Sequence, residues 1–176
     1  MDEIVKQALR KWPNVPHCYG WLALDARGDW YMRDERIQHA GRFPAVKGSR
    51  IEHEKLREFI ERNYAADDSG QWFFQNGPQR VYVELEAAPW VWRLGPEGAS
   101  TGPSITSHTG RAAQFDAAWL DERGRLFVST DLGLGLVHTL DMELAADAVE
   151  AGVWSPGEVP FVTLPARFGY RLVPAP

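Results

Sequence analysis

The chain holds a single cysteine, Cys18, among its 176 residues. A lone thiol cannot close an internal disulfide, so nothing in the sequence calls for an oxidising compartment. An excess of positive charge is also missing. Nineteen Lys and Arg stand against 24 Asp and Glu, for a net charge of −5 at pH 7. Binders of phosphate backbones carry a basic face, so no nucleic acid is expected as a partner. The local group Arg42, Lys47 and Arg50 reads as solvated loop charge. No run approaches the roughly 18 apolar residues that span a bilayer, so no membrane partner is expected. Asp2 and Glu3 open the chain without an apolar run. That is unlike a signal peptide, and the expected address is cytoplasmic.

Metal spacings are lacking too. The five histidines stand at 17, 39, 53, 108 and 138. No two have the i, i+4 separation of a zincin helix, and there is no C-x-x-C, so neither a metal nor a cofactor is expected. His17 and Cys18 are strand neighbours that point to opposite faces, which suits a structural histidine and a buried thiol.

What is plentiful is aromatic: eight Trp, eight Phe and five Tyr. Hydrophobic residues at 44% and charged residues at 24% fit a folded globular chain with enough apolar surface to offset chain entropy. So many large rings supply a core and leave some available for binding.

Along the chain, residues 2–12 read as an amphipathic helix with Ile4, Val5, Ala8, Leu9 and Trp12 on one face, stopped by Pro13. Segments 18–24 and 30–33 form a hairpin across Asp25-Ala26-Arg27-Gly28-Asp29. Ser49, three residues before Glu52, predicts a capping box. The helix behind it buries Leu56, Phe59, Ile60 and Tyr64 and ends near Ala66. A second hairpin pairs 71–75 with 80–86 across Asn76-Gly77, with Val81, Val83 and Leu85 on the buried face and Tyr82, Glu84 and Glu86 on the wet one. A strand at 90–94 follows.

The expected fold class is α+β: antiparallel sheets with a few packed helices, in two β-rich parts. Residues 1–94 make an N-terminal α+β part of helix, hairpin, helix and hairpin. Residues 95–110, rich in Gly, Pro and Ser, make a linker or long loop. Residues 111–176 make a C-terminal β-rich part with one helix at 141–151, a strand at 132–138 and closing strands at 159–164 and 170–173. Segment 120–127 echoes 24–31, which marks either a pseudo-repeat or the shared liking of hairpin loops for Asp and Gly.

The run Gly20-Trp21-Leu22-Ala23-Leu24-Asp25-Ala26-Arg27-Gly28-Asp29-Trp30-Tyr31, a capped helix, Gly70-Gln71-Trp72-Phe73-Phe74, and Val81 through Ala87-Ala88-Pro89-Trp90 carry a likeness to known proteins. In this order of elements the first half resembles an uncharacterised proteobacterial family known as a domain of unknown function. The resemblance implies a two-part α+β fold and brings neither an activity nor catalytic residues.

Gly98-Ala99-Ser100-Thr101-Gly102 matches the G-x-S-x-G pattern, with Asp116 or Asp121 and then His138 downstream. The pattern lacks the strand–turn–helix that a nucleophile elbow needs, because Pro96 and Pro103 bracket it. Leu132-Gly133-Leu134-Gly135-Leu136 begins like a dinucleotide fingerprint, but His138 stands where the third glycine belongs. What remains is an aromatic and polar cluster: Trp72, Phe74, Gln75, Asn76, Gln79 and Arg80 on one hairpin, with Trp90 and Trp92 on the next strand. Rings beside amides and an arginine suit a ligand or peptide site, and equally suit a sheet packed on a helix.

Two functions follow. One is a non-catalytic regulatory or adaptor module for a small molecule or a protein. The other is a hydrolase-type enzyme assembled from distant residues, with Asp131, His138, Asp141 or Ser100 as candidates. Self-association into a homo-oligomer is compatible with both.

Overall fold

The computed structural model describes residues 1–96 and 102–176. Helix α1 (Glu3–Lys11) starts behind Asp2, carries Glu3 at its positive end, and stops at Lys11, with Trp12 as its cap before Pro13. Then come β1 (Cys18–Leu24), β2 (Trp30–Met32), α2 (Glu35–Ala40), β3 (Ser49–Arg50), α3 (Glu54–Arg62), β4 (Tyr64–Ala66), β5 (Trp72–Asn76) and β6 (Gln79–Leu85). The remaining elements are β7 (Trp90–Gly95), β8 (Ser104–Ser107), β9 (Ala112–Ala113), β10 (Phe115–Leu120), β11 (Leu126–Thr130), β12 (Gly133–Val137), α4 (Met142–Glu150), β13 (Gly157–Glu158) and α5 (Leu164–Phe168). Among the described residues, no helix is long and apolar enough to cross a membrane.

The chain divides into two compact units. Unit 1 is Met1–Asp25, Asp29–Glu86 and Gly169–Pro176, and unit 2 is Ala26–Gly28 and Ala87–Phe168. The last residues return to unit 1 through hydrogen bonds, Leu85 N–H to the Leu172 carbonyl at 2.8 Å and Ala175 N–H to Gln71 Oε1 at 2.7 Å. Within 95–110, the segment expected as a linker, β8 forms a regular antiparallel pair with β7.

The α+β class with two β-rich parts is what the structure shows, but the sheets are mixed rather than purely antiparallel. Unit 1 has the strand order β3-β2-β1-β6-β5-β4, and unit 2 has β13-β10-β11-β12-β7-β8-β9. Each contains two three-stranded antiparallel meanders. The first strand of the first meander lies parallel to the last strand of the second, β1 on β6 and β7 on β12. Alternation along a strand specifies its faces and leaves its neighbour open, which is why these long-range parallel pairs were invisible in the sequence.

The two units therefore repeat one topology, with β13 added at an edge of the second. The echo between 24–31 and 120–127 aligns the wrong hairpins, because β1–β2 corresponds by topology to β7–β8, while β10–β11 corresponds to β4–β5. Its origin is a shared turn. Four turns begin at Asp25, Asp67, Ser107 and Asp121, and in each the first N–H donates to the fifth carbonyl, at 2.8–3.0 Å. In each, the first side chain accepts from the fifth N–H, at 2.8–3.1 Å. The fourth residue is always glycine with φ between 72° and 83°, a conformation other residues reach only with strain.

Several local expectations change. Helix α3 is capped by His53, whose ring nitrogen accepts from Leu56 N–H at 3.3 Å, while Ser49 lies in β3. It ends at Arg62, and Tyr64–Ala66 is the edge strand β4, because buried Asn63 turns the chain. Asn63 donates to the Phe59 carbonyl and accepts from Asp2 N–H at 2.7 Å, tying the start of α1 to the end of α3. In the second hairpin Asn76 pairs with Gln79, so the turn residues are Gly77-Pro78 rather than Asn76-Gly77. Positive φ at Gly77 followed by proline's fixed negative φ gives the two signs of a type II′ turn. The expected strands at 159–164 and 170–173 are absent: Phe161–Thr163 is a 3₁₀ turn leading into α5, and 170–173 is irregular.

Candidate functional site

The register in unit 1 sorts its side chains onto two faces. Leu22, Met32, Val83, Val81, Phe74, Asn76 and Gln79 share one face, and Ala23, Tyr31, Glu84, Tyr82, Arg80 and Gln75 share the other.

The first face is covered by α3, but only in part. Phe59 meets Phe74 edge-on at 5.4 Å, and Ile60 is fully buried. One turn earlier Leu56 is 36% exposed, and across from it Met32 and Trp21 are 49% and 41% exposed. Between helix and sheet lies a half-open groove of about 330 Å³, lined by Cys18, Trp21, Leu22, Met32, Ile51, Leu56, Phe59, Ile60, Phe74, Asn76, Gln79 and Val81. Its polar groups are two amides, a thiol and the indole N–H of Trp21. Gln79 Nε2 donates to the Pro16 carbonyl at 2.9 Å, which leaves its Oε1 able to accept. The exposed Asn76 amide makes no hydrogen bond among the described residues. Cys18, expected as a buried thiol, is half-buried here.

The opposite face is ionic, and it is not the wet surface its alternation predicts. Arg33, 2% exposed, donates to the carbonyls of Val46 and Gly41 and lies 3.3 Å from Glu84. Lys47 bridges Asp25 at 2.7 Å and Glu86 at 3.4 Å. Tyr82 is buried, stacks on Tyr19 at 4.6 Å and donates to Asp67 at 2.9 Å. Burial raises the pKa of Glu84, with Arg33 opposing. The covering comes from the chain between β2 and β3, whose Gln38 lies against Gly20.

The eight residues singled out in the sequence thus separate. Phe74, Asn76 and Gln79 line the groove. Trp72 shares their face but sits beyond the groove, packed on Tyr64 at 4.7 Å. Gln75 is buried, with its amide on the Gly77 carbonyl, and Arg80 lies over the Phe73 ring at 4.4 Å. Trp90 and Trp92 belong to unit 2. Both are buried, with indole N–H groups donating to the carbonyls of Leu132 and Val128 at 2.8 and 2.9 Å. Gly135 makes room for them, since a Cβ there would stand 2.3 Å from Trp92 Nε1, and Gly133 has a φ of 114°; these two needs explain the glycine pair that looked like the start of a nucleotide fingerprint.

The hydrolase candidates in the described residues hold backbone N–H groups, and Asp141 an arginine as well. Both oxygens of Asp141 are taken by Arg93, at 2.6 and 3.1 Å, and one also accepts from Leu94 N–H. Arg93 and then Leu94 hold the Asp141 carboxyl below its ordinary pKa despite burial. His138 Nδ1 accepts from Leu140 N–H, and Asp131 accepts from Gln114 N–H. Ser100 lies outside the described residues. Among the described residues no three His, Cys, Asp or Glu gather to hold a metal ion.

A family profile matches residues 1–175, that of DUF2944, described as a protein of unknown function (DUF2946). The chain belongs to this family. No functionally curated protein matches it. Among solved structures, the chain is similar to a DUF1285 family protein from Silicibacter pomeroyi DSS-3, at 13% identity over 84% of each chain with a TM-score of 0.52. A DUF1285 family protein from Shewanella baltica OS155 matches 72% of this chain and 91% of its own, at 14% identity and a TM-score of 0.46. The first likeness is one of fold. Family membership bears out the resemblance in the sequence and extends it over the second half.

Sequence reading missed Trp21, Met32, Ile51 and Leu56 as groove residues. The available signal was length: three apolar positions on a nine-residue helix cannot cover a six-stranded sheet.

Proposed function

We propose that this protein is a non-catalytic binding module whose unit 1 takes up a small apolar molecule between α3 and the sheet, in a regulatory or adaptor role. The observation that carries it is the exposure of Trp21, Met32 and Leu56 around a cavity of about 330 Å³ with apolar walls. Leaving such rings and chains in water costs free energy that an occupant recovers, and binding sites are mostly apolar concavities of this size or larger. A reducing, cytoplasmic setting belongs to the proposal and is supported by the single, unbridged cysteine.

The test is a thermal-shift screen of the full chain against neutral apolar compounds, repeated on Leu56→Asp. A ligand at a hundred times its Kd adds about 2.7 kcal/mol, which raises Tm by roughly 5–10 °C at this size. The shift should vanish in Leu56→Asp. Silence across the compounds, or a shift unchanged in the variant, overturns the proposal.

A further inference from the structure

Resting on that reading of the groove, we infer that its ligand is electrically neutral: an apolar body of about ten heavy atoms ending in an uncharged head that both donates and accepts a hydrogen bond, such as an amide or a hydroxyl. The size follows from the cavity, since about 330 Å³ holds about ten groups of the volume one water occupies in the liquid.

The neutrality follows from how the strands distribute their charges. Twelve residues line the groove and none of them is Asp, Glu, Lys, Arg or His, in a chain that is 24% charged. The charges in and beside the sheet strands lie on the other face, and on α3 the partly buried Glu61 is engaged by Trp30 Nε1 at 3.3 Å. Arg33, next to groove-lining Met32, reaches Glu84, and Arg80, between Gln79 and Val81, covers Phe73. A carboxylate or ammonium in the groove would give up water without meeting a counter-ion. A neutral head meets the Asn76 amide, which offers both a donor and an acceptor, and Gln79 Oε1, whose amino group is already held by Pro16.

The experiment is calorimetric titration of the full chain near neutral pH with four ligands of one chain length, each below its micelle-forming concentration: decanamide, decan-1-ol, decanoate and decylammonium. The two neutral ligands should bind at least about tenfold more tightly than the two ions. Gln79→Lys, a half-buried position at the groove, should reverse the order and bring decanoate to the front, with circular dichroism unchanged. Equal or tighter binding of decanoate by the unaltered chain overturns the neutral head and leaves the groove reading standing. An unchanged preference in Gln79→Lys overturns the placement of the head at Gln79. If none of the four ligands binds, the groove reading fails together with this inference.

Discussion

In unit 2 Trp92 is fully buried, its indole N–H is bonded to Val128, and its ring lies over Gly135, where a Cβ would leave it no room. In unit 1 Trp21 is 41% exposed, and the helix that covers its sheet stops short of it. The two units share one strand topology, so the difference lies in what fills the space over the sheet. Unit 2 packs β12 and β7 with stacked indoles 5.9 Å apart, and its α4 presents small buried residues, Ala145 and Ala148. Unit 1 lays a helix carrying Leu56, Phe59 and Ile60 across its sheet and leaves an open end. Unit 2 also keeps an apolar concavity, of about 290 Å³ between α4 and Leu120 and Leu126, so the contrast lies in the tryptophans: one topology encloses Trp90 and Trp92 fully and leaves Trp21 partly in water.

Substitution of the two tryptophans gives the largest separation. Trp92→Ala should cost about 3–5 kcal/mol in guanidinium unfolding, from a lost ring, a cavity and an orphaned carbonyl, while Trp21→Ala, at a residue already 41% exposed, should cost only about 1–2 kcal/mol. Equal losses would break the comparison.

Acid should separate the units next. Burial alone depresses His108 in unit 2 to about 3; its Nε2 is shut off from water and its Nδ1 accepts from Val91 N–H. The unfolded chain takes up a proton below about 6.5 where the folded one does not, so stability falls as pH drops from about 6.5 toward 3. By pH 4.5 the loss should reach about 2–3 kcal/mol, and His108→Asn should remove most of it. In unit 1 burial raises the carboxyls of Glu61 and Glu84, which favours the folded state on acidification. Its depressed carboxylates, Asp2 and Asp67, lose their contribution only as pH falls below about 4. Urea titrations at both pH values, read by probes in each unit, check the contrast.

The turns come third. Burial opposes ionisation of Asp121, yet the backbone and side chain of Arg125 and the N–H of Arg123 hold its pKa down. Asp121→Ala should cost about 2 kcal/mol, Asp67→Ala a similar amount, and Ser107→Ala about 1 kcal/mol, because hydrogen bonds to a charge are the stronger ones. Last comes Leu56→Asp without ligand, expected to cost about 1 kcal/mol in the same unfolding assay because Leu56 is only 36% exposed.

Much of the local structure was legible. Helix α1, the hairpins on either side of Asp25 and Gly77, strand β7 and helix α4 followed from periodicity, Pro13, and the Asp–Gly turn chemistry. The failures came where a distant partner overrode a local signal. Asn63, held by Asp2 and Phe59, ended α3 early, and the C-terminal chain bonded to Leu85 instead of forming strands. Of the proposed cluster, Phe74, Asn76 and Gln79 came together in the groove, and Trp90 and Trp92 went to another core because strand parity does not say which sheet a strand joins.

By itself the sequence determined the α+β class, the turn positions and the wealth of rings, since these rest on interactions within a few residues. Only the tertiary structure decided that the sheets are mixed, that the two units repeat one topology, and that Arg33, just after β2, and the charges of β6 gather on one face while the other stays apolar and open. Those outcomes depend on pairings across some sixty residues, β1 with β6 above all, and no local pattern encodes which strand arrives alongside.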